Sequence, residues 1–215
     1  MILILLKTIE MKINTNAWNK TRYTIYTPIY DSVGRIFAES RRKSISSLEI
    51  KDGDKVLIIG AGTGLDLEFL SSNCEITATD ITPSMIKRLS KRSKQLNLNV
   101  DARVMDGQKL LLPDNSYDKI ILHLILAVIP DPFACIKEVE RVLKTGGTIA
   151  VFDKFLPTKS EISFGRKVLN QFTNLFFSDI TRSIEKIISE TKLITVSDEK
   201  ADFGGIFRMI KLRKT

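Results

Sequence analysis

Short runs of β-branched and aliphatic residues alternate along this chain with longer stretches in which apolar positions recur every three or four residues. The runs predict strands at Lys55 to Ile59, Glu75 to Thr79, Asp101 to Met105, Tyr117 to His123 and Thr148 to Phe155. The stretches between them predict helices, and this alternation gives an α/β fold with a parallel sheet covered on both faces. Helix punctuation agrees. Thr82 and Pro83 suit an N-cap and first turn before S-M-I-K-R-L-S-K-R, and Asp131 and Pro132 do the same before F-A-C-I-K-E-V-E-R-V-L-K, a helix expected to stop at Gly146 and Gly147.

The two ends of the chain depart from simple alternation. From about Thr21 to Leu48 the sequence is polar, basic and helical in character. Residues 160–191 place Leu169, Phe172, Phe176, Ile180, Ile184 and Ile187 at helical steps, an apolar stripe on one or two helices. After it, L-I-T-V-S and F-R-M-I-K-L-R-K flank Gly204 and Gly205 and read as an antiparallel hairpin. No repeat, low-complexity tract or linker divides the chain, so a single domain over residues 11–215 is expected, with a helical lid at about 15–50. Residues 1–10 hold an apolar run too short for a membrane span, which needs roughly twenty residues. They lack a signal-peptide pattern as well, and Met11 reads as an alternative start.

Chemistry concentrates in K-V-L-I-I-G-A-G-T-G-L-D, residues 55–66. Gly60, Gly62 and Gly64 let the backbone turn out of a strand into a helix and come close to a ligand that side chains would exclude. Asp80, ending the next strand, stands at the distance where a β-α-β unit sets an acid beside a ribose; its other reading is a helix-capping acid before T-P-S-M. The dinucleotide spacing G-x-G-x-x-G fails in both registers, at Leu65 and at Leu67, and no G-K-[ST] phosphate loop follows.

With its G-x-G-x-G spacing the chain resembles the class I S-adenosylmethionine-dependent methyltransferases. The resemblance implies a seven-stranded Rossmann-like sheet, mostly parallel with a C-terminal antiparallel hairpin, and S-adenosylmethionine as cofactor with S-adenosylhomocysteine as product. It also implies cofactor contacts from Gly60, Ala61, Gly62, Asp80 and Ile81. Asp106, in V-M-D-G-Q, matches the acid that contacts the adenine amino group, with Gly107 giving room beside the ring. Met85 stands one helical turn beyond Asp80, either on the adenine face or in the core. The family usually carries an acid two residues before the first glycine, where this chain has Ile58.

A narrower likeness rests on R-Y-T-I-Y-T-P-I-Y-D (residues 22–31), H-L-I-L-A-V-I-P-D-P, L-K-T-G-G and V-F-D-K-F. These are similar to the soluble bacterial phosphatidylethanolamine N-methyltransferases, with Tyr26 and Thr27 replacing a tryptophan and an alanine. More loosely they match quinone-ring and other small-molecule methyltransferases. The implied lid brings Tyr23 and Tyr30 over the cofactor, where aromatic rings face a cationic sulfur or ammonium; alternatively they pack the segment on the sheet. His123, the sole histidine, either lines the floor of the cofactor and substrate cleft or is a satisfied core residue. Tyr30 and His123 are the candidates for accepting the amine proton.

Charge and cysteine usage refine the partners. A net charge of +8 favours anionic partners, nucleic acid or a membrane surface. Strand four lacks the N-P-P-Y or D-P-P-Y tetrad of base and glutamine methylation, and no cysteine is set for attack on a pyrimidine, so nucleic acid loses ground. An amine lipid or other small-molecule acceptor is expected, with peripheral contact to an anionic membrane through residues 35–43 and 172–177, the alternative being solvated and core faces. Cys74 and Cys135 are isolated, which fits a reducing cytoplasm and argues against a metal site. A cofactor-binding protein without catalysis is the remaining reading from another class.

Overall fold

Residues 15–26, 31, 34–155 and 182–215 are described by a computed structural model of the chain. The first helix, α1 (Asn16–Tyr26), starts five residues before the expected helical segment. Thr15 caps it, its Oγ1 accepting from the Trp18 N–H at 3.1 Å. A 3-10 turn (Arg35–Phe37) leads into α2 (Ala38–Ser46). Alternation then follows with β1 (Lys55–Ile59), β2 (Glu75–Asp80), α3 (Pro83–Gln95), β3 (Val100–Val104), β4 (Tyr117–His123), α4 (Pro132–Val142) and β5 (Leu143–Lys154). After α5 (Ile184–Ile188), β6 (Leu193–Lys200) and β7 (Phe207–Lys214) form the expected hairpin.

Two expectations need correction. The glycine turn after β1 opens only a short 3-10 segment, Leu65–Phe69, rather than a helix. α4 ends at Val142 instead of running to Gly146, because Leu143 already pairs with Tyr117 across β4 and β5. Gly146 is then a turn inside the β5 span, at φ +80°, with the register shifting between Tyr117 and Lys119. Pro132 opens α4 as expected, and the Asp131 side chain caps it by accepting from the Ala134 N–H.

The sheet has seven strands in the order β3-β2-β1-β4-β5-β7-β6. All neighbours are parallel except the pairs made by β7. Because β1 is buried on both faces, its alternate residues serve two cores. Leu57 and Ile59 join Ile120, Leu122, Val139, Ile136 and Ile184 on one face. Val56 and Ile58 join Ile45, Leu48, Leu67, Leu89 and Ile121 on the other, beneath α2 and α3. Ile58 is thus an ordinary core residue, 1% exposed. Strand order reverses between β1 and β4, and an open sheet of this kind leaves its ligand crevice outside the carboxyl ends of the strands there.

Of the expected apolar stripe, Ile184 and Ile187 are buried, while Leu169, Phe172, Phe176 and Ile180 lie outside the described residues. Among the described residues no helix is long and apolar enough to cross a membrane. In the basic stretch 35–43, Arg41 is buried and Phe37 packs among Phe152, Phe203 and Phe207, while Ile36 is exposed and Arg42 and Lys43 pair with Glu39 on an exposed face. Residues 172–177 lie outside the described residues.

Candidate functional site

At the switch point a pocket partly open to solvent is lined from the ends of β1, β2 and β3. Ile59 and Gly60 come from the first, Asp80 and Ile81 from the second, Met105, Asp106 and Gly107 from the third. The loop after β4 supplies Ile125, Val128, Ile129 and Pro130, and α1 closes the pocket with Asn16, Asn19 and Tyr23. Gly60 has φ +69°, and a Cβ there would stand 2.7 Å from Ile125 Cδ1. A Cβ on Gly107 would stand 2.8 Å from Ile59 Cγ2. Both positions therefore have no room for a side chain beside Ile125 and Ile59 of the pocket lining.

Asp80 is held by the chain that surrounds it. Its Oδ2 accepts from the Gly62 N–H at 3.0 Å and its Oδ1 from the Thr82 N–H at 2.8 Å. Each oxygen keeps a lone pair after these bonds. Burial pushes this carboxyl up, and the two backbone donors pull it back. Asp106 is met from two sides: Oδ1 accepts from the Gln108 N–H at 3.0 Å, and Oδ2 from Asn16 Nδ2 at 2.6 Å. Asn19 Nδ2 donates to the Val128 carbonyl at 3.0 Å, fixing α1 to the β4 loop.

That loop is anchored in turn. Leu124 sits at φ +58°, and its N–H donates to the Phe152 carbonyl at 2.8 Å. Asp153 Oδ2, at the end of β5, accepts from the Ala127 N–H at 2.9 Å. Burial pushes the Asp153 carboxyl up to about 6, against the Ala127 and Lys154 N–H groups and the charges of Lys154 and Arg182.

The expected residues divide. Tyr23, Gly60, Asp80, Ile81, Asp106 and Gly107 line the pocket together. Gly62 touches it through its N–H on Asp80, whereas Ala61 is buried in the core on the α2 side. Met85 is 1% exposed on α3 and absent from the lining, which resolves its two readings toward the core. Tyr30 lies outside the described residues.

His123 requires a correction as both cofactor contact and proton acceptor. Strand parity puts it on the side of Ile121, beneath α2, whereas the pocket opens on the side of Ile59. Both ring nitrogens are engaged there: Nδ1–H donates to Asp66 Oδ1 at 2.8 Å, and Nε2 meets Ser44 Oγ at 3.0 Å. Arg41 donates to the same Asp66 oxygen at 2.7 Å. Burial pushes the Asp66 carboxyl up, but Arg41 and His123 outweigh it and hold it well below the usual carboxylate range. This buried network fastens α2 to the glycine turn and to β4.

Sequence reasoning missed Asn16 and Asn19. Their signal was the spacing Asn16, Asn19, Tyr23, which places three polar or amphipathic groups on one helix face. It also missed the tie made by Asp31, which accepts from Thr63 Oγ1 at 2.5 Å and from Arg92 at 2.6 Å, joining the chain after α1 to the glycine turn and α3.

Residues 57–151 match a family model described as a methyltransferase domain. The chain is 26% identical over 189 residues to phosphatidylethanolamine N-methyltransferase of Cereibacter sphaeroides, covering 86% of this chain and 93% of that one. It is 29% identical over 153 residues to demethylmenaquinone methyltransferase of Tropheryma whipplei (strain Twist), covering 71% of this chain and 60% of that one. Among solved structures, the (4+2)-cyclase SpnF superposes with a TM-score of 0.76 at 16% identity, over 93% of this chain and 96% of that one. At that identity the likeness speaks for the fold.

Proposed function

We propose that this chain, an S-adenosylmethionine-dependent methyltransferase, transfers methyl groups to the amino head group of phosphatidylethanolamine. The observation that supports this acceptor is the likeness to the Cereibacter enzyme, which runs over nearly the whole of both chains. The cofactor supplies an electrophilic methyl group on a sulfonium, and the acceptor amine is the nucleophile.

The pocket residues fit such a cofactor. Asp80 would hold the ribose hydroxyls with its two remaining lone pairs. Asp106 would accept from the adenine amino group, and Gly107, Ile129 and Pro130 would enclose the base. Gly60 allows the backbone to approach without a side chain. Tyr23 gives an aromatic wall suited to a cation. With no pyrophosphate to cradle, neither a third spaced glycine nor a lysine is needed.

The work left to the protein is alignment of donor and acceptor and exclusion of water, which together can supply roughly 7–11 kcal/mol of barrier reduction. α1 performs the second task by covering the pocket. An ammonium head group must lose a proton before attack. With His123 turned away, Tyr30 is the side chain proposed to take or relay it.

Expression in a bacterial host whose membrane contains phosphatidylethanolamine but no methylated derivatives tests this acceptor. Mass spectrometry of the lipid extract should find mono- or dimethylated phosphatidylethanolamine. An unchanged lipid profile from cells that contain folded protein would exclude it. A quinone-ring acceptor is the second reading, favoured by the Tropheryma likeness; it would show as methylated quinone in the same extract.

A further inference from the structure

We propose that Arg22 is an anion-binding residue beside the pocket, placed to take one oxyanion of a bound ligand: the terminal carboxylate of the cofactor or the phosphate of the acceptor.

Arg22 lies on α1 between Asn19 and Tyr23, both of which line the pocket. It is only 5% exposed. A guanidinium carries five N–H donors, yet among the described residues this one makes a single hydrogen bond, from a terminal nitrogen to Asn19 Oδ1 at 2.9 Å. Its Nε is buried without a partner. The Tyr23 ring lies 4.8 Å from the guanidinium carbon, which orients the group without neutralising it.

The other buried arginines are answered differently. Arg41 has the Asp66 carboxylate, and Arg208 has those of Asp198 and Glu185. Among the described residues no carboxylate pairs with Arg22. An enclosed charge without a counter-ion is costly, and a planar fork of donors matches a carboxylate or phosphate bidentately. An incoming anion would therefore complete a group that the described residues leave without a counter-ion.

Position along α1 fits this role. Asn16 marks the end of the pocket at Asp106. Arg22 follows six residues later, roughly 9 Å along the axis at the helical rise. That length is comparable to a nucleoside, and with its bond to Asn19 of the lining it would bring the guanidinium toward the end of the pocket away from Asp106, where the cofactor's carboxylate or the acceptor's phosphate would come.

The variants Arg22→Gln and Arg22→Lys separate the two sources. Calorimetry compares S-adenosylhomocysteine with 5′-methylthioadenosine, the same nucleoside without the amino-acid carboxylate. Initial rates on vesicles of phosphatidylethanolamine and phosphatidylglycerol give KM and kcat for the acceptor. If the anion is the cofactor's, Arg22→Gln weakens S-adenosylhomocysteine about ten-fold or more and leaves methylthioadenosine within about two-fold. If it is the acceptor's, both nucleosides bind as before while KM rises about ten-fold or more at similar kcat. Arg22→Lys restores part of either loss.

Values all within about two-fold of the wild type would overturn the inference. So would equal weakening of both nucleosides with a lowered melting temperature, since Arg22 would then merely hold α1. The acceptor arm rests on the phosphatidylethanolamine reading, and the nucleoside arm does not. A wild type that labels no lipid removes the acceptor reading, and an unchanged nucleoside ratio in that case overturns the role of Arg22 as well.

Discussion

His123→Leu distinguishes a histidine that holds the fold from one that moves a proton. The native ring is fully enclosed, its Nδ1 bound to Asp66 at 2.8 Å and its Nε2 to Ser44 Oγ at 3.0 Å. Leucine is of similar bulk and fills the space. It removes one of the two partners of the Asp66 carboxylate and leaves the Ser44 hydroxyl buried without its own. Each lost partner costs about 1–3 kcal/mol, so the pair amounts to about 2–6 kcal/mol. For a chain of this size roughly 2–4 °C is lost per kcal/mol, and the melting temperature should fall by roughly 4–24 °C. Differential scanning fluorimetry measures this directly. Below that temperature, affinity for S-adenosylhomocysteine and kcat should stay within about three-fold of the wild type. A general base would instead contribute roughly a hundred- to ten-thousand-fold. A large loss of kcat with an unchanged melting temperature would refute the assignment of His123 to the α2 anchor.

Three further outcomes follow from the pocket and its supports. The Asp153 carboxyl, raised to about 6 from an ordinary 3.8, binds its proton more tightly in the native than in the unfolded chain. Its contribution therefore falls as pH rises from about 4 to about 6, by about 3 kcal/mol, and Asp153→Asn should remove that dependence in urea melts. An identical pH profile in the variant would contradict it. Asp66, held low, acts in the opposite sense, and its contribution is lost only as pH falls below about 4. Asn16→Ala frees Asp106 from its 2.6 Å bond and should tighten S-adenosylhomocysteine by about three- to ten-fold; weaker binding by calorimetry would show that Asn16 helps hold the ligand. Gly60→Ala forces a left-handed alanine, at about 1–2 kcal/mol, and pushes Ile125 into the pocket. The expected result is a lower melting temperature and about ten-fold or more weaker cofactor binding, and a variant that binds normally would argue against the close approach at Gly60.

The sheet was legible because parallel strands buried on both faces, such as Val56 to Ile59 and Ile120 to Leu122, read as continuous apolar runs between helical periods. The end of α4 was misread because Leu143 and Lys144 continue its helical pattern, and only pairing with β4 takes them into the sheet. Pocket residues contributed by strand ends could be found by position, as with Asp80 and Asp106. Those contributed by α1 could not, because which helix face meets the strand ends is decided by tertiary packing. His123 shows the limit most clearly. It ends its strand, as a ligand residue would, yet the period of two puts it on the same face as Ile121. Reading that parity in the sequence would have turned it away from the pocket.

The most direct test is methyl-labelled S-adenosylmethionine given to the purified protein with vesicles that contain both phosphatidylethanolamine and a demethylated quinone, followed by lipid separation. Label is expected in methylated phosphatidylethanolamine. Label in the quinone alone, or in neither while calorimetry shows the cofactor bound, would contradict the proposed acceptor.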